Sequence, residues 1–504
     1  MPDPTPYPLD QLTERGDAQA SALVLRGRTL TYADLRERVS LLAGWLAGRA
    51  EPGARVASWA AKGELTCLLP LAAARAGMVH VPINPLLKRA QVAHILGDSG
   101  AVLLMGTKSR LATLEDGDVP SGCGLLEESA VLTEAEDAAA TLGPSQHDPD
   151  ALSAILYTSG STGAPKGVML SHANLWLGAV SVAHYLGMAP DDVTLAVLPL
   201  SFDYGQNQLF STWYAGGSVV PLDYLFPRDV AKACGKHRVT TLAGVPPLWL
   251  QLTEVEWPAD AVSTLRRITN SGGALTSQLV EDLRSILPKT KIFPMYGLTE
   301  AFRSTYLDPA LVATHPTSMG RAIPFAEILV IDDTGEVSAP GEEGELVHCG
   351  PLVAQGYWQD EERTRERFRP APAMSEYGGT AVWSGDRVKR EDNGLLYFVG
   401  RRDAMIKSAG NRISPQELED AAGATGLVAE AVALGVPDER LGQAIHLVVR
   451  AQAGAQDAQS SLEKALKRDL PNFMQPHTID WREKLPLNPN GKIDRAALAR
   501  EVGA

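Results

Sequence analysis

Tyr157-Thr-Ser-Gly-Ser-Thr-Gly-Ala-Pro-Lys-Gly-Val168 packs four serines and threonines, three glycines and one lysine into twelve positions. It follows the apolar run Leu152-Ser-Ala-Ile-Leu156, which has the length and composition of a buried strand. Glycines let a backbone approach an anion closely, and successive N–H groups in such a turn form an anion nest. The hydroxyls of Thr158, Ser159, Ser161 and Thr162 add donors, Gly160 and Gly163 add freedom, and Lys166 adds a compact positive charge. The stretch therefore predicts a strand ending in a phosphate-binding loop. It is not a P-loop, because Pro165 precedes the lysine and Gly167 follows it. A flexible Gly/Ser surface loop remains the alternative on composition alone.

Outward from this stretch, strand-like and helical runs alternate. Ala101–Met105, Thr194–Leu198, Ser218–Leu222 and Arg267–Thr269 read as strands, with helices over Leu30–Leu46 and Ser277–Leu287. Such alternation predicts an α/β fold with largely parallel sheets. Glu136–Asp150 reads as a loop. Near residue 330 the texture changes: Glu327–Glu336, Gly344–His348 and Leu395–Val399 predict a β-rich subdomain over about 325–400. Ser414-Pro-Gln-Glu417 carries the signature of a capped helix start, opening a compact α+β module. The expected organisation is a large N-terminal domain, 1–403, and a small C-terminal domain, 404–504.

The totals agree. A chain of 504 residues is too long for one hydrophobic core. Its net charge of −14 argues against a nucleic-acid partner, which needs a basic face. Cys67, Cys123, Cys234 and Cys349 are scattered, which fits reduced thiols in the cytoplasm better than a zinc site or a disulfide framework. The first residues lack the basic flank and apolar core of a signal peptide. Leu65–Leu87 is apolar but is interrupted by Pro70, Arg75, Pro82 and Pro85, so it predicts a buried helix and a strand at Met78–Ile83, not a membrane span.

The opening stretch resembles the signature loop of AMP-forming adenylating enzymes: acyl-CoA synthetases, nonribosomal peptide synthetase adenylation domains and luciferases. Further motifs of that superfamily follow in its order. They are Tyr296-Gly-Leu-Thr-Glu300, Gly344-Glu-Leu346 with Gly356-Tyr-Trp358, Ser384-Gly-Asp386, Gly400-Arg-Arg-Asp403 and Asn490-Gly-Lys492. Leu200–Gly205, Met295–Thr305 and Leu485–Arg495 are similar to one subgroup, the acyl-CoA ligase-like proteins found with bacterial exosortase systems.

The resemblance implies a reaction: ATP activates a carboxylate as acyl-adenylate, and the acyl group then passes to a thiol. It also implies residue roles. The loop from Thr158 to Lys166 would hold the leaving phosphates. Gly272, Gly273 and Ala274 would face adenine, with Tyr296 stacked opposite. Asp386 would bind the ribose hydroxyls and Arg401 ribose or phosphate. Thr299 would contact phosphate and Glu300 hold Mg²⁺. Lys492 would bridge the carboxylate and the α-phosphate, lowering their repulsion. Asp403 would be the hinge about which the mobile small domain rotates, bringing Gly410 in place of Lys492 for the thiol step. Taken singly, Asp386 reads as a turn residue, Glu300 as a helix-start acid and Lys492 as a solvated turn lysine.

For the acid, Leu200-Ser-Phe-Asp203 resembles the stretch whose aspartate binds the substrate ammonium in amino-acid-activating domains. Phe202 and Gly297 would lie on the substrate side. The alternative is that Asp203 caps the helical run Tyr204–Tyr214. The acceptor would be phosphopantetheine on a separate carrier protein, or free CoA. Arg363, Arg365, Arg367 and Arg369 do not identify a CoA phosphate site and read as a solvated helix face.

Overall fold

The computed structural model describes residues 2–158, 165–401, 405–408, 411–438, 441–455, 457–470 and 472–504. Two large sheets dominate the first 320 residues. The first has six strands in the order Gly124–Glu127, Leu103–Gly106, Arg55–Trp59, Val79–Pro82, Leu152–Thr158 and Lys166–Ser171. Its strands are parallel except for the last pair, an antiparallel hairpin. The second has nine strands. Its six central members, including Val193–Ala196, Arg267–Asn270 and Lys291–Tyr296, run parallel, and its edges are antiparallel.

The helices Glu64–Arg75, His172–Leu186 and Asp203–Tyr214 share one core cluster with strands of both sheets. Each is buried around nearly its whole circumference. That explains the first two sequences: a helix with no solvated face loses the polar stripe of an amphipathic one.

The helix expected from Leu30 begins at Tyr32 instead. Leu30 belongs to the strand Arg28–Thr31, and Thr31 caps the helix by accepting from the Asp34 N–H, with Asp34 reciprocating. The loop expected from Glu136 starts later, because the helix Glu128–Ala138 ends only where Ala139 turns left-handed, φ +50°, and its N–H donates to the Glu136 carbonyl.

An antiparallel sheet of five strands follows, Glu327–Ile331 to Leu396–Arg401. The last sheet, also of five strands, lies between Ile406 and Trp481 and is backed by the helices Pro415–Gly423 and Ala458–Asp469. Ser414 caps the first of these: its Oγ accepts from the Glu417 N–H at 3.3 Å and donates to the Val399 carbonyl.

Candidate active site

The hairpin Leu152–Thr158/Lys166–Ser171 pairs Thr158 with Lys166 across the mouth of the glycine-serine loop. Ser159, Gly160, Ser161, Thr162 and Gly163 lie outside the described residues. Gly167 must be small, because a Cβ there would sit 2.6 Å from Ile155 Cγ2. The Gly356-Tyr-Trp358 motif is stitched alongside: Met169 N–H donates to the Gly356 carbonyl and Trp358 N–H to the Gly167 carbonyl. This stitching delivers Tyr357 to Lys166. Lys166 Nζ donates to Tyr357 Oη at 2.8 Å and to Glu300 Oε1 at 2.9 Å, and Tyr357 Oη donates to the same Glu300 oxygen at 2.6 Å. Burial alone would raise the Glu300 pKa. The Lys166 charge and the Tyr357 hydroxyl outweigh it and hold the carboxyl below its ordinary range. Glu300 is thus a buried, ionised acid in a short 3-10 turn, Thr299–Ala301, and not a solvated helix-start residue.

Asp386 lies within the strand Thr380–Arg390, opposite Arg401. It is buried and does not sit in a turn. Tyr296 Oη donates to its Oδ2 at 2.5 Å and Arg401 Nε to its Oδ1 at 2.9 Å. Burial pushes the Asp386 pKa up, against the pull of Arg401 and Tyr296. Tyr296 is therefore held by its hydroxyl at one end. Gly272, Gly273 and Ala274 form an exposed bend after the strand Arg267–Asn270, pinned by Asn270 Nδ2 donating to the Gly273 carbonyl at 2.8 Å.

Asp203 does not cap its helix. Phe202 takes the N-cap position with no side-chain cap bond, and Asp203 is the first helical residue. Phe202 is packed in the second core cluster. The Asp203 carboxylate instead accepts from Thr299 Oγ1 at 3.0 Å and from Arg303 Nη1 at 3.3 Å. Arg303 is buried, lies over the Tyr204 ring at 4.5 Å, and leaves its Nε without a hydrogen-bond partner among the described residues. Gly297 permits the tight return of the chain, since a Cβ there would meet Arg303 Cα at 2.8 Å.

Lys492 completes the cluster from the far end of the chain. Its turn is self-bonded: Asn488 Oδ1 accepts from the Asn490 and Lys492 N–H groups, and Asn488 N–H donates to the Lys492 carbonyl at 2.7 Å. The side chain passes over Gly272 so closely that a Cβ there would lie 2.2 Å from Lys492 Cε. Burial lowers the Lys492 pKa, and the Asp203 charge opposes that shift. A solvated turn lysine would show neither feature.

The structure thus brings Lys166, Glu300, Thr299, Asp203, Gly272 and Lys492 to one locus, with Tyr296, Asp386 and Arg401 at its side. Asp403 and Gly410 lie outside the described residues. The arginine series is not one solvated face. Arg365 is exposed, but Arg367 turns inward and donates to the Trp383 carbonyl at 3.0 Å; burial would lower its pKa, and the nearby Glu300 and Tyr357 outweigh that and raise it. Sequence reasoning missed Arg303, Tyr357 and Arg367 as site residues. Each stood in a stretch already singled out, Arg303 within Met295–Thr305, Tyr357 within Gly356-Tyr-Trp358 and Arg367 in the arginine series, but nothing local marked its contact with Asp203 or Glu300.

Comparison with known proteins gives a consistent pattern. The family described as "AMP-binding enzyme" matches residues 11–358, and "AMP-binding enzyme C-terminal domain" matches residues 417–492. A feruloyl-CoA synthase from Amycolatopsis sp is 32% identical over 97% of this chain and 97% of its own. An L-proline–[L-prolyl-carrier protein] ligase from Pseudomonas fluorescens is 31% identical over 93% of this chain and 92% of its own. The crystal structure of ATP-bound MatB from Rhodopseudomonas palustris superposes with a TM-score of 0.89 at 26% identity, covering 99% of both chains.

Proposed function

This chain belongs to the AMP-binding enzyme family and is an AMP-forming ligase, and on that premise we propose that it adenylates a small amino-bearing acid and passes it to the phosphopantetheine thiol of a separate carrier protein. The observation that supports this most is the seating of the Lys492 side chain against Gly272, near enough to Asp203 to feel its charge. In the proposed first step an oxygen of the acid's carboxylate attacks the α-phosphorus of ATP, forming the new P–O bond as the bond to pyrophosphate breaks. Lys492 sits where its ammonium can face both anionic reactants and lower their repulsion. Lys166 and the 159–163 loop hold the departing phosphates, Thr299 contacts phosphate, and Asp386 with Arg401 orients the ribose. Glu300 fits a Mg²⁺ site, being a buried ionised carboxylate beside the phosphate loop, and the ion would neutralise phosphate charge. In the second step the thiol attacks the acyl carbonyl and AMP leaves. The small domain, 404–504, turns about Asp403 between steps and brings Gly410 to the locus. The cytoplasm suits the four free cysteines, and no helix among the described residues is long and apolar enough to cross a membrane.

Asp203 supports an amino-bearing substrate because a buried carboxylate with lone pairs to spare can take an ammonium. A second reading, an amine-free acid joined to free CoA, is favoured by Arg303, which already partners that carboxylate. ATP–pyrophosphate exchange across the amino acids, β-alanine, benzoate, ferulate and short fatty acids separates them. Exchange confined to amino-bearing acids, and lowered by about 10-fold or more in Asp203→Ala, supports the first. Exchange confined to amine-free acids, with Asp203→Ala unaffected, contradicts it. Thioester assays with CoA and with a holo-carrier protein then identify the acceptor.

A further inference from the structure

We propose that Asn84 is a positioning residue that holds the Lys492 turn in the adenylating pose and so sets the balance between the two half-reactions. This goes beyond the roles above and rests on the reading of Lys492 as the adenylating cation.

Asn84 lies just beyond the strand Val79–Pro82 of the six-stranded sheet, about 400 residues from the turn it touches. It is buried. Its Nδ2 donates to the Pro489 carbonyl at 2.9 Å and to Asn490 Oδ1 at 3.0 Å. Its Oδ1 accepts from the Leu86 N–H at 2.9 Å. The amide orientation is fixed by these partners, because a carbonyl can only accept and a backbone N–H can only donate. The base of the residue is equally fixed. Ile83 N–H donates to the Ser58 carbonyl at 2.8 Å, tying the segment to the neighbouring strand, and Leu87 N–H donates to the Asn84 carbonyl.

On the other side, the 488–492 turn is rigid within itself, through the Asn488 bonds described above. A self-bonded turn moves as a unit, so fixing Pro489 and Asn490 fixes where Lys492 points. The contrast with another link between the lobes is informative. Arg450 and Glu254 stand 3.6 Å apart, and Glu254 is half exposed, a geometry that water and salt weaken. The Asn84 bonds are neutral, partly shielded from solvent and adjacent to Lys492. They must break whenever the lysine turn leaves, so they stabilise the adenylating arrangement and not the one that follows it.

The test uses the full-length enzyme. Asn84→Asp keeps the acceptor for the Leu86 N–H, removes both donors and sets a carboxylate against two oxygens. With the acid that exchanges best in the panel, pyrophosphate exchange is expected to fall about 10-fold. Thioester formation from that acid's preformed adenylate should stay within about 2-fold of wild type. Hydrogen exchange of the peptide covering residues 485–494, measured with MgATP and no acid, should rise in the variant. Should Asn84→Asp fail to fold, Asn490→Ala removes one of the two bonds without touching the sheet and should shift the same ratio in the same direction. An equal loss in both half-reactions, or no change in either with unchanged hydrogen exchange, overturns the proposal. If wild type exchanges with no acid, the proposed function fails, while the hydrogen-exchange comparison still decides the latch.

Discussion

Gly272 and Lys492 work as a pair at the scale of single residues. Gly272 has φ +82°, and the lysine stem occupies the space any side chain would need. Gly272→Ala therefore meets both backbone strain and a clash with Lys492. It is expected to lower pyrophosphate exchange by about 100-fold, the scale on which one misplaced electrostatic donor acts, with a far smaller change in melting temperature. The same crowding governs titration. Burial lowers the Lys492 pKa, so its charge, the one proposed to assist adenylation, is lost on the alkaline side before an ordinary lysine would lose it. The alkaline limb of the exchange profile should fall at a lower pH than an ordinary lysine would set, and Lys492→Arg, if active, should move it upward. Lys492 was legible in the sequence only through its companions, since a lysine after Asn-Gly is usually solvated. Arg303 was not legible as a partner of Asp203, because 100 residues separate them and a contact at that distance depends on how the sheet and the buried helix pack.

At the scale of elements, the hairpin Leu152–Ser171 and the Gly356–Trp358 segment act as one unit. Their backbone bonds place Tyr357 between Lys166 and Glu300, where its hydroxyl fixes both side chains. Tyr357→Phe removes that hydroxyl and leaves the ring packing. Exchange assays titrated with ATP and Mg²⁺ should show KM for MgATP raised by about 10-fold with a smaller change in kcat; unchanged values of both would show that Lys166 and Glu300 need no such support. The strands of this unit were readable from apolar runs and glycine punctuation. Of the two readings of Asp203, only the cap fails, because it placed the helix start one residue late. Phe202 adopts the extended N-cap conformation, φ −140° and ψ 164°, and that single step turns Asp203 from a cap into a pocket residue.

At the scale of the whole molecule, three buried histidines, His80, His172 and His348, shape the response to acid. His80 in the six-stranded sheet and His348 in the antiparallel sheet are fully buried, and burial pushes each pKa down to about 3. Unfolded histidine takes up a proton near pH 6.5, so between there and about pH 3 the unfolded chain binds more protons and stability falls as pH falls. Chemical denaturation between about pH 7 and about pH 5 should show this loss, and a folded His348→Gln variant should show a shallower one, by up to about 1.4 kcal/mol per pH unit. An unaltered slope would place the acid sensitivity elsewhere. The α/β class and the superfamily were legible because motifs and alternation spread along the chain. The seating of the C-terminal turn against Asn84 and Gly272 was not, since no local pattern records how two lobes meet. That seating is also the heart of the proposed mechanism. Lys492→Ala, assayed in both half-reactions, tests it most directly. The account predicts that pyrophosphate exchange falls by about 100-fold or more while thioester formation from supplied acyl-adenylate stays near wild type. Equal loss of both activities, or full retention of exchange, would contradict it.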